Sequence, residues 1–188
     1  MKNNKWRFFT FVLLIFFISG CIKNDTRIDY SSNVKSQLAN EISNRVALQL
    51  KKEQDLYPCG FGGGMMNQIR MLALSFNYYK PVEIEQAREL LFSAGSLLLK
   101  TVNENEKIRP YLDTYPFQPK NIEIRIFLKA ADKFAIEDEK LCGISMLDGI
   151  LEYEIHDPKT KKLTTIYSET YEEAMEKLNF KHTLTVNL

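Results

Sequence analysis

Three cysteines (Cys21, Cys59, Cys142) and two histidines (His156, His182) hold most of the nucleophilic and metal-ligating chemistry open to this 188-residue chain. Cys59 or Cys142 with His156 has the residue types of a nucleophile and its base. Nothing in the neighbouring sequence supports either pairing, and a small buried side chain is the commoner state of cysteine. Neither histidine has a second histidine or a cysteine at ligand spacing, so no zinc site is read. Glu137-Asp138-Glu139 lacks the alternating oxygen ligands of a calcium loop and reads as a solvated turn. Gly60 to Gly64 (GFGGG) could turn backbone amides toward an anion. Neither a following Lys-Ser/Thr nor a G-x-G-x-x-G accompanies it, so it reads as a flexible or tightly turning loop. Ser93 and Ser96 lie inside an apolar helical pattern and not at a strand-to-helix elbow, which leaves a serine hydrolase unsupported. No catalytic residue, cofactor or metal is therefore assigned.

The best candidate for recognition is Ile108 to Phe117 (IRPYLDTYPF), a proline-stiffened stretch carrying Arg109, Tyr111, Tyr115 and Phe117. Aromatic rings on a rigid loop suit sugar rings or the apolar side chains of a partner, and Arg109 suits a carboxylate or phosphate. A packing role fits too: the rings can cover a sheet edge while Arg109 pairs with a nearby acid, because a domain of this size needs most of its aromatics for core.

Cys21 belongs to a different pattern. Lys2, Lys5 and Arg7 precede an apolar run from Phe8 to Ile18, and Ser19-Gly20-Cys21 follow. Positive start, short apolar run and small-residue exit are the parts of a secretory signal, and the run is shorter than the about 20 residues of a spanning helix. Ile18-Ser19-Gly20-Cys21 resembles the bacterial lipobox. That resemblance implies diacylglyceryl transfer to the Cys21 thiol and cleavage just before it. The chain then divides into a leader (1–20), a lipidated cysteine with a polar tether (21–33) and one domain (34–188). The expected location is the cell membrane or outer membrane, with the domain outside the cytoplasm. Ile22 stands where an aspartate would resemble an inner-membrane retention signal. The leader takes three of the 25 basic residues and none of the 24 acidic ones, so the mature chain carries 22 against 24. That balance and export both speak against nucleic acid, which wants a basic face. Export also permits a disulfide between Cys59 and Cys142.

The elements that must position these residues follow from periodicity. Val34, Leu38, Ile42, Val46 and Leu50 form one helical stripe, capped by Ser31 or Ser32 and running to about Lys52. Leu56 to Gly64 breaks the pattern, and Met65 to Ile69 stays open between loop and helical turn. Met71 to Tyr79 alternates as a strand. A second helix follows Pro81 and buries Ile84, Ala87, Leu91, Ala94, Leu98 and Val102. Pro110, Pro116 and Pro119 keep the next stretch non-helical. Asn121 to Lys129 alternates as a strand with one wet face. Leu151 to Ile155 and Leu163 to Tyr167 form a hairpin about Asp157-Pro158. Thr170 and Glu173 make a capping box for a short helix from Tyr171 to about Asn179. Leu184, Val186 and Leu188 alternate as an edge strand. The predicted class is α+β: a single, mostly antiparallel sheet with helices packed on one face.

IRPYLDTYPF with Asn121-Ile122-Glu123-Ile124 also resembles a signature of small bacterial envelope proteins. Met65-Met66, Leu74-Ser75-Phe76, Glu85 to Arg88 and Glu169 to Ala174 fit the same pattern, which covers roughly Tyr57 to Leu178. The resemblance implies an envelope role and brings no activity with it. The expected function is a non-catalytic binding or structural module for an envelope protein or polymer, with an envelope hydrolase as the alternative.

Overall fold

The computed structural model describes residues 30–130 and 139–186. The expected leader, Cys21, the expected tether up to residue 29, Glu137, Asp138 and Leu188 lie outside the described residues.

Helix α1 spans Tyr30–Gln54. It starts before the expected serine cap, so Tyr30 to Asn33, the last residues of the expected tether, are helical. Ile42, Val46 and Leu50 of the predicted stripe are buried. Strand β1 (Tyr57–Gly64) corrects the expected turning loop. It pairs antiparallel with β2 (Met71–Tyr78) on one side only, as an edge strand. Pro58 lacks an N–H to donate, and an edge beside a bulge between Pro58 and Gly60 tolerates that. At Gly63 a Cβ would come within 2.6 Å of the Met71 carbonyl, so close strand approach requires glycine there. Met65 to Ile69 is a bend, not a helical turn. Lys35 holds it to the start of α1, its ammonium donating to the carbonyls of Met66 (3.1 Å) and Asn67 (2.9 Å).

Helix α2 (Ile84–Asn103) crosses from β2 to β3 (Ile122–Leu128), which runs parallel to β2. Strand β4 (Leu141–Leu147) has no counterpart among the sequence expectations. It shows no alternation because the helices cover one of its faces while Arg125 and Glu152 flank Ser145 on the other. Asp148 (φ 49) and Gly149 (φ 77) turn it into β5 (Ile150–His156), the left-handed pair that a two-residue hairpin favours. Strand β6 (Leu163–Thr170) completes the predicted hairpin with β5. Helix α3 spans Tyr171–Val186 and opens on the predicted capping box: the Thr170 N–H donates to Glu173 (2.7 Å) and the Glu173 N–H to Thr170 (3.1 Å). The expected tail strand is corrected, since Leu184 and Val186 are in this helix. No proline or glycine follows Tyr171 to stop it.

The sheet order is β1-β2-β3-β4-β5-β6, antiparallel except for β2 and β3. Leu72, Leu74, Phe76, Ile122, Ile124, Ile126, Ile144, Met146, Leu151 and Tyr153 point to the helices and are buried. The opposite face carries Ser75, Arg125, Ser145, Glu152 and Ser168 in one cross-strand row and bears no helix among the described residues. The α+β class, with one mostly antiparallel sheet, holds.

Candidate functional site

The stretch between α2 and β3 runs along the end of the sheet where β2 and β3 begin. Side-chain amides fix it. Asn103 donates to the Phe117 carbonyl (3.0 Å) and accepts from the Phe117 N–H (2.7 Å). Asn121 accepts from the Gln118 N–H (2.9 Å) and donates to the Arg70 carbonyl (3.0 Å). A short parallel bridge joins Ile69 to Leu112, with the Ile69 N–H on the Tyr111 carbonyl (2.8 Å) and the Asp113 N–H on the Ile69 carbonyl (3.0 Å). Each bond satisfies a backbone group that a loop would otherwise leave to water. The Tyr115–Pro116 peptide is cis.

This frame divides the four predicted recognition residues. Phe117 is buried at 2% exposure and Tyr111 packs half-buried against the core, so neither presents a free ring. Ile108 and Leu112 anchor the same stretch in the core. Arg109 and Tyr115 are at the surface, with the guanidinium 4.5 Å from the ring centroid. The stretch therefore offers one stacked cation–aromatic pair on a rigid base. Phe117 and Tyr111 thus follow the packing reading, and the recognition reading narrows to Arg109 and Tyr115. The Phe117 ring follows two residues after Tyr115, and the Asn103 clamp turns it inward.

A recess of about 360 Å³ opens on the helix-free face between β3, β4 and β5, with Phe127, Lys129, Cys142, Glu154, His156 and Leu163 in its walls. Cys142 sits at a bulge in β4, opposite the step from Glu154 to Ile155. Its thiol donates to the Glu154 backbone carbonyl (3.5 Å). Burial pushes the thiol above its usual value, and the Glu154 carboxylate adds to that. A cysteine held this way is a thiol at neutral pH, which is the non-nucleophilic form. Glu154 is itself raised, by burial and then by the charge of Glu152, against the pull of Arg125. So the fold does bring Cys142 and His156 to one recess, without activating the sulfur. His182 lies in the last turns of α3.

Cys59 and Cys142 are both free. Strands β1 and β4 are separated by β2 and β3. Three strand spacings amount to about 14 Å, against a Cα separation of at most about 7 Å for a disulfide. The disulfide that export would permit is ruled out on that ground, and the alternative of two unpaired cysteines stands. Burial raises Cys59 as well, with Lys129 opposing.

The most elaborate polar cluster escaped sequence reasoning. Glu169 on β6 is 3% exposed and points under the helices. One of its oxygens accepts from Arg88 Nε (2.6 Å) and the Tyr153 hydroxyl (2.6 Å). The other accepts from Lys177 Nζ (2.6 Å) and the Tyr167 hydroxyl (3.2 Å). Burial pushes the carboxyl up, but the bonds from Arg88, Lys177 and Tyr153 outweigh it, and the group lies below the usual carboxylate range. Burial likewise raises Tyr153, and the bond to Glu169 raises it further. A carboxylate with four donors has no lone pair left for proton transfer. The cluster clasps α2, β5, β6 and α3 together. A signal for it existed: Arg88 follows Ile84 by four residues, on the apolar stripe of α2, where an unpaired charge would be costly.

Among the described residues no group of three or more His, Cys, Asp and Glu side chains is placed to hold a metal ion. No protein-family model, curated protein or solved structure matches the chain.

Proposed function

We propose that the chain is an exported lipoprotein, held at a bacterial membrane by acyl groups on Cys21, whose α+β domain is a non-catalytic binding or structural module outside the cytoplasm. The observation that carries this reading is the N-terminal run from Lys2 to Cys21, in which charge, apolar length and the Ile18-Ser19-Gly20-Cys21 tetrad agree. Two or three acyl chains hold a protein on a bilayer stably, at about 0.8 kcal/mol per buried methylene. The Arg109–Tyr115 pair on its clamped base supports a binding role, since it offers a planar cation and a ring without loop ordering on contact. An envelope protein or polymer is the partner class that fits export. Mass spectrometry of the mature N-terminus tests the anchor. The expected result is an acylated Cys21 as first residue, with Cys21→Ala lost from the membrane fraction after a carbonate wash. Retention of Cys21→Ala in the washed membranes would point to an uncleaved apolar anchor instead. Crosslinking of the lipidated protein in intact envelopes tests the binding role. Reproducible turnover of an envelope substrate with no crosslinked partner would sink it.

One observation favours an envelope hydrolase as a second reading: Cys142 and His156 share a recess. The raised thiol and its bond to a backbone carbonyl weigh against it. Turnover abolished by Cys142→Ala in a folded protein would restore it.

A further inference from the structure

The strand directions define two ends of the sheet. At one end lie the start of α1, the bend between β1 and β2, the stretch from α2 to β3, the β4–β5 turn and the start of α3. These pieces touch. Lys35 near the start of α1 holds the carbonyls of Met66 and Asn67. The bend is bridged to Leu112. Gly149 lies against Pro119 and Lys120, and the Tyr171 N–H donates to the Gly149 carbonyl (2.8 Å). The exposed apolar side chains of this end are prominent. Met66 is 85% exposed, Tyr115 52%, and Leu147 and Ile150 each 40%. Around them stand exposed Arg70, Arg109 and Lys120.

We infer that this end of the domain is a membrane-docking surface, with Met66, Tyr115, Leu147 and Ile150 meeting the lipid interface. The inference rests on the lipid-anchor reading. Its occupant follows from chain length. Only residues 22–29 separate the lipidated cysteine from the first turn of α1, and that turn is at this end. The nine Cα–Cα steps from Cys21 to Tyr30 can span at most about 30 Å. The bilayer is therefore the surface this end meets at the highest local concentration. Tyrosine and arginine suit the headgroup layer, where a ring is half wet and a guanidinium meets phosphate. Exposed Asp113 and Asp148 interleave with the cations, so apolar contact and not net charge drives the docking.

The chain supplies a clean reporter, because its single tryptophan, Trp6, lies in the leader. Tyr115→Trp, Met66→Trp and, at the opposite end, Leu163→Trp are each prepared as full-length, processed lipoprotein. They are reconstituted in vesicles of phosphatidylethanolamine and phosphatidylglycerol, with and without bromine-labelled acyl chains. The expected result is a blue-shifted emission quenched by the brominated lipid in Tyr115→Trp and Met66→Trp, and neither effect in Leu163→Trp. Met66→Trp is on a separate bend, so the test survives misfolding of either loop variant. Three tryptophans with equal, unquenched, water-like emission on an acylated chain overturn the docking surface and leave the anchor standing. Quenching of Leu163→Trp alone overturns the assigned orientation. A chain without acyl mass on Cys21 overturns both.

Discussion

Glu169 and Glu154 stand on neighbouring strands and on opposite faces of the same sheet, and their carboxyls shift in opposite directions. Under the helices, Glu169 is almost wholly buried yet held below the carboxylate range, because Arg88, Tyr153, Lys177 and Tyr167 surround it with donors. On the helix-free face, Glu154 is pushed up by partial burial and by Glu152, with only Arg125 opposing. Burial opposes ionisation at both sites. What differs is whether the packed elements deliver partners. Where helices cover the sheet, an unmatched charge would be costly, and the matching is complete. Where water reaches the face, an imperfect set of neighbours is tolerated. The covered face thus holds the fold together, and the open face and the sheet ends are where groups remain free to meet something else.

The sharpest way to break this contrast is Glu169→Ala. It leaves Arg88 buried without its carboxylate, and removing one partner of a buried pair typically costs about 3–5 kcal/mol. A fall in the urea midpoint at unchanged slope measures it. A loss under about 1 kcal/mol would place the pair with ordinary surface ion pairs. Tyr153→Phe removes one of four donors and no charge. A hydrogen bond to an ionised group contributes about 1.5–3 kcal/mol, and the expected loss is at the low end because three donors remain.

Proton linkage sharpens the contrast by sign. Glu169 has a lowered folded pKa, so its contribution is complete above the unfolded value of about 4.3 and is lost as pH falls through the folded value. Wild-type stability should therefore drop below about pH 4, and Glu169→Gln should flatten that drop. Glu154 has a raised folded pKa, so its effect is reversed: the fold favours the protonated form, and stability declines as pH rises from about 4.3 through the folded value. Glu154→Gln should remove that decline. Urea midpoints between pH 3 and 7 on the three proteins test both signs, and parallel curves would refute the comparison.

Much of the covered face was legible in the sequence, because one-sided burial writes a period. The stripe of α1, the alternation of β2 and β3, and the Thr170–Glu173 box all reappear in place. The open face and the edges were not. Strand β1 reads as a loop because an edge strand needs a ladder on one side only and accepts Pro58 and four glycines. Strand β4 is buried at five of its seven positions and so has no alternation to detect, although Asp148-Gly149 between Leu147 and Ile150 is a strong hairpin signal. The sequence left recognition and packing both open for the IRPYLDTYPF stretch, and the structure divides them: Arg109 and Tyr115 are at the surface, while Tyr111 and Phe117 are packed. Which residue goes which way was not legible, because the Asn103 clamp joins residues 14 apart and leaves no local mark. The Glu169 cluster depends on partners 81 and 16 residues away, Arg88 and Tyr153, which no window along the chain brings together.

The smallest expected effect is also the most diagnostic for the open face. Glu154→Gln should change stability at pH 7 by no more than about 0.5 kcal/mol, as at other surface positions, and in the favourable direction, since it removes a charge the fold disfavours. Its chemical effect should be larger in proportion. The Glu154 carboxylate is one reason the Cys142 thiol is raised, second to burial, and the Glu154 backbone carbonyl that holds the thiol is unchanged by the substitution. Removing the charge lowers the thiol pKa, raises the thiolate fraction and speeds alkylation. In a Cys21→Ala, Cys59→Ser background, iodoacetamide at pH 8 should therefore modify Cys142 faster when residue 154 is glutamine than when it is glutamate. The gain should fade as pH rises past the thiol pKa and both proteins become thiolate. An equal rate at every pH would mean that water screens the carboxylate from the sulfur completely, and that the recess is open surface with no shared field.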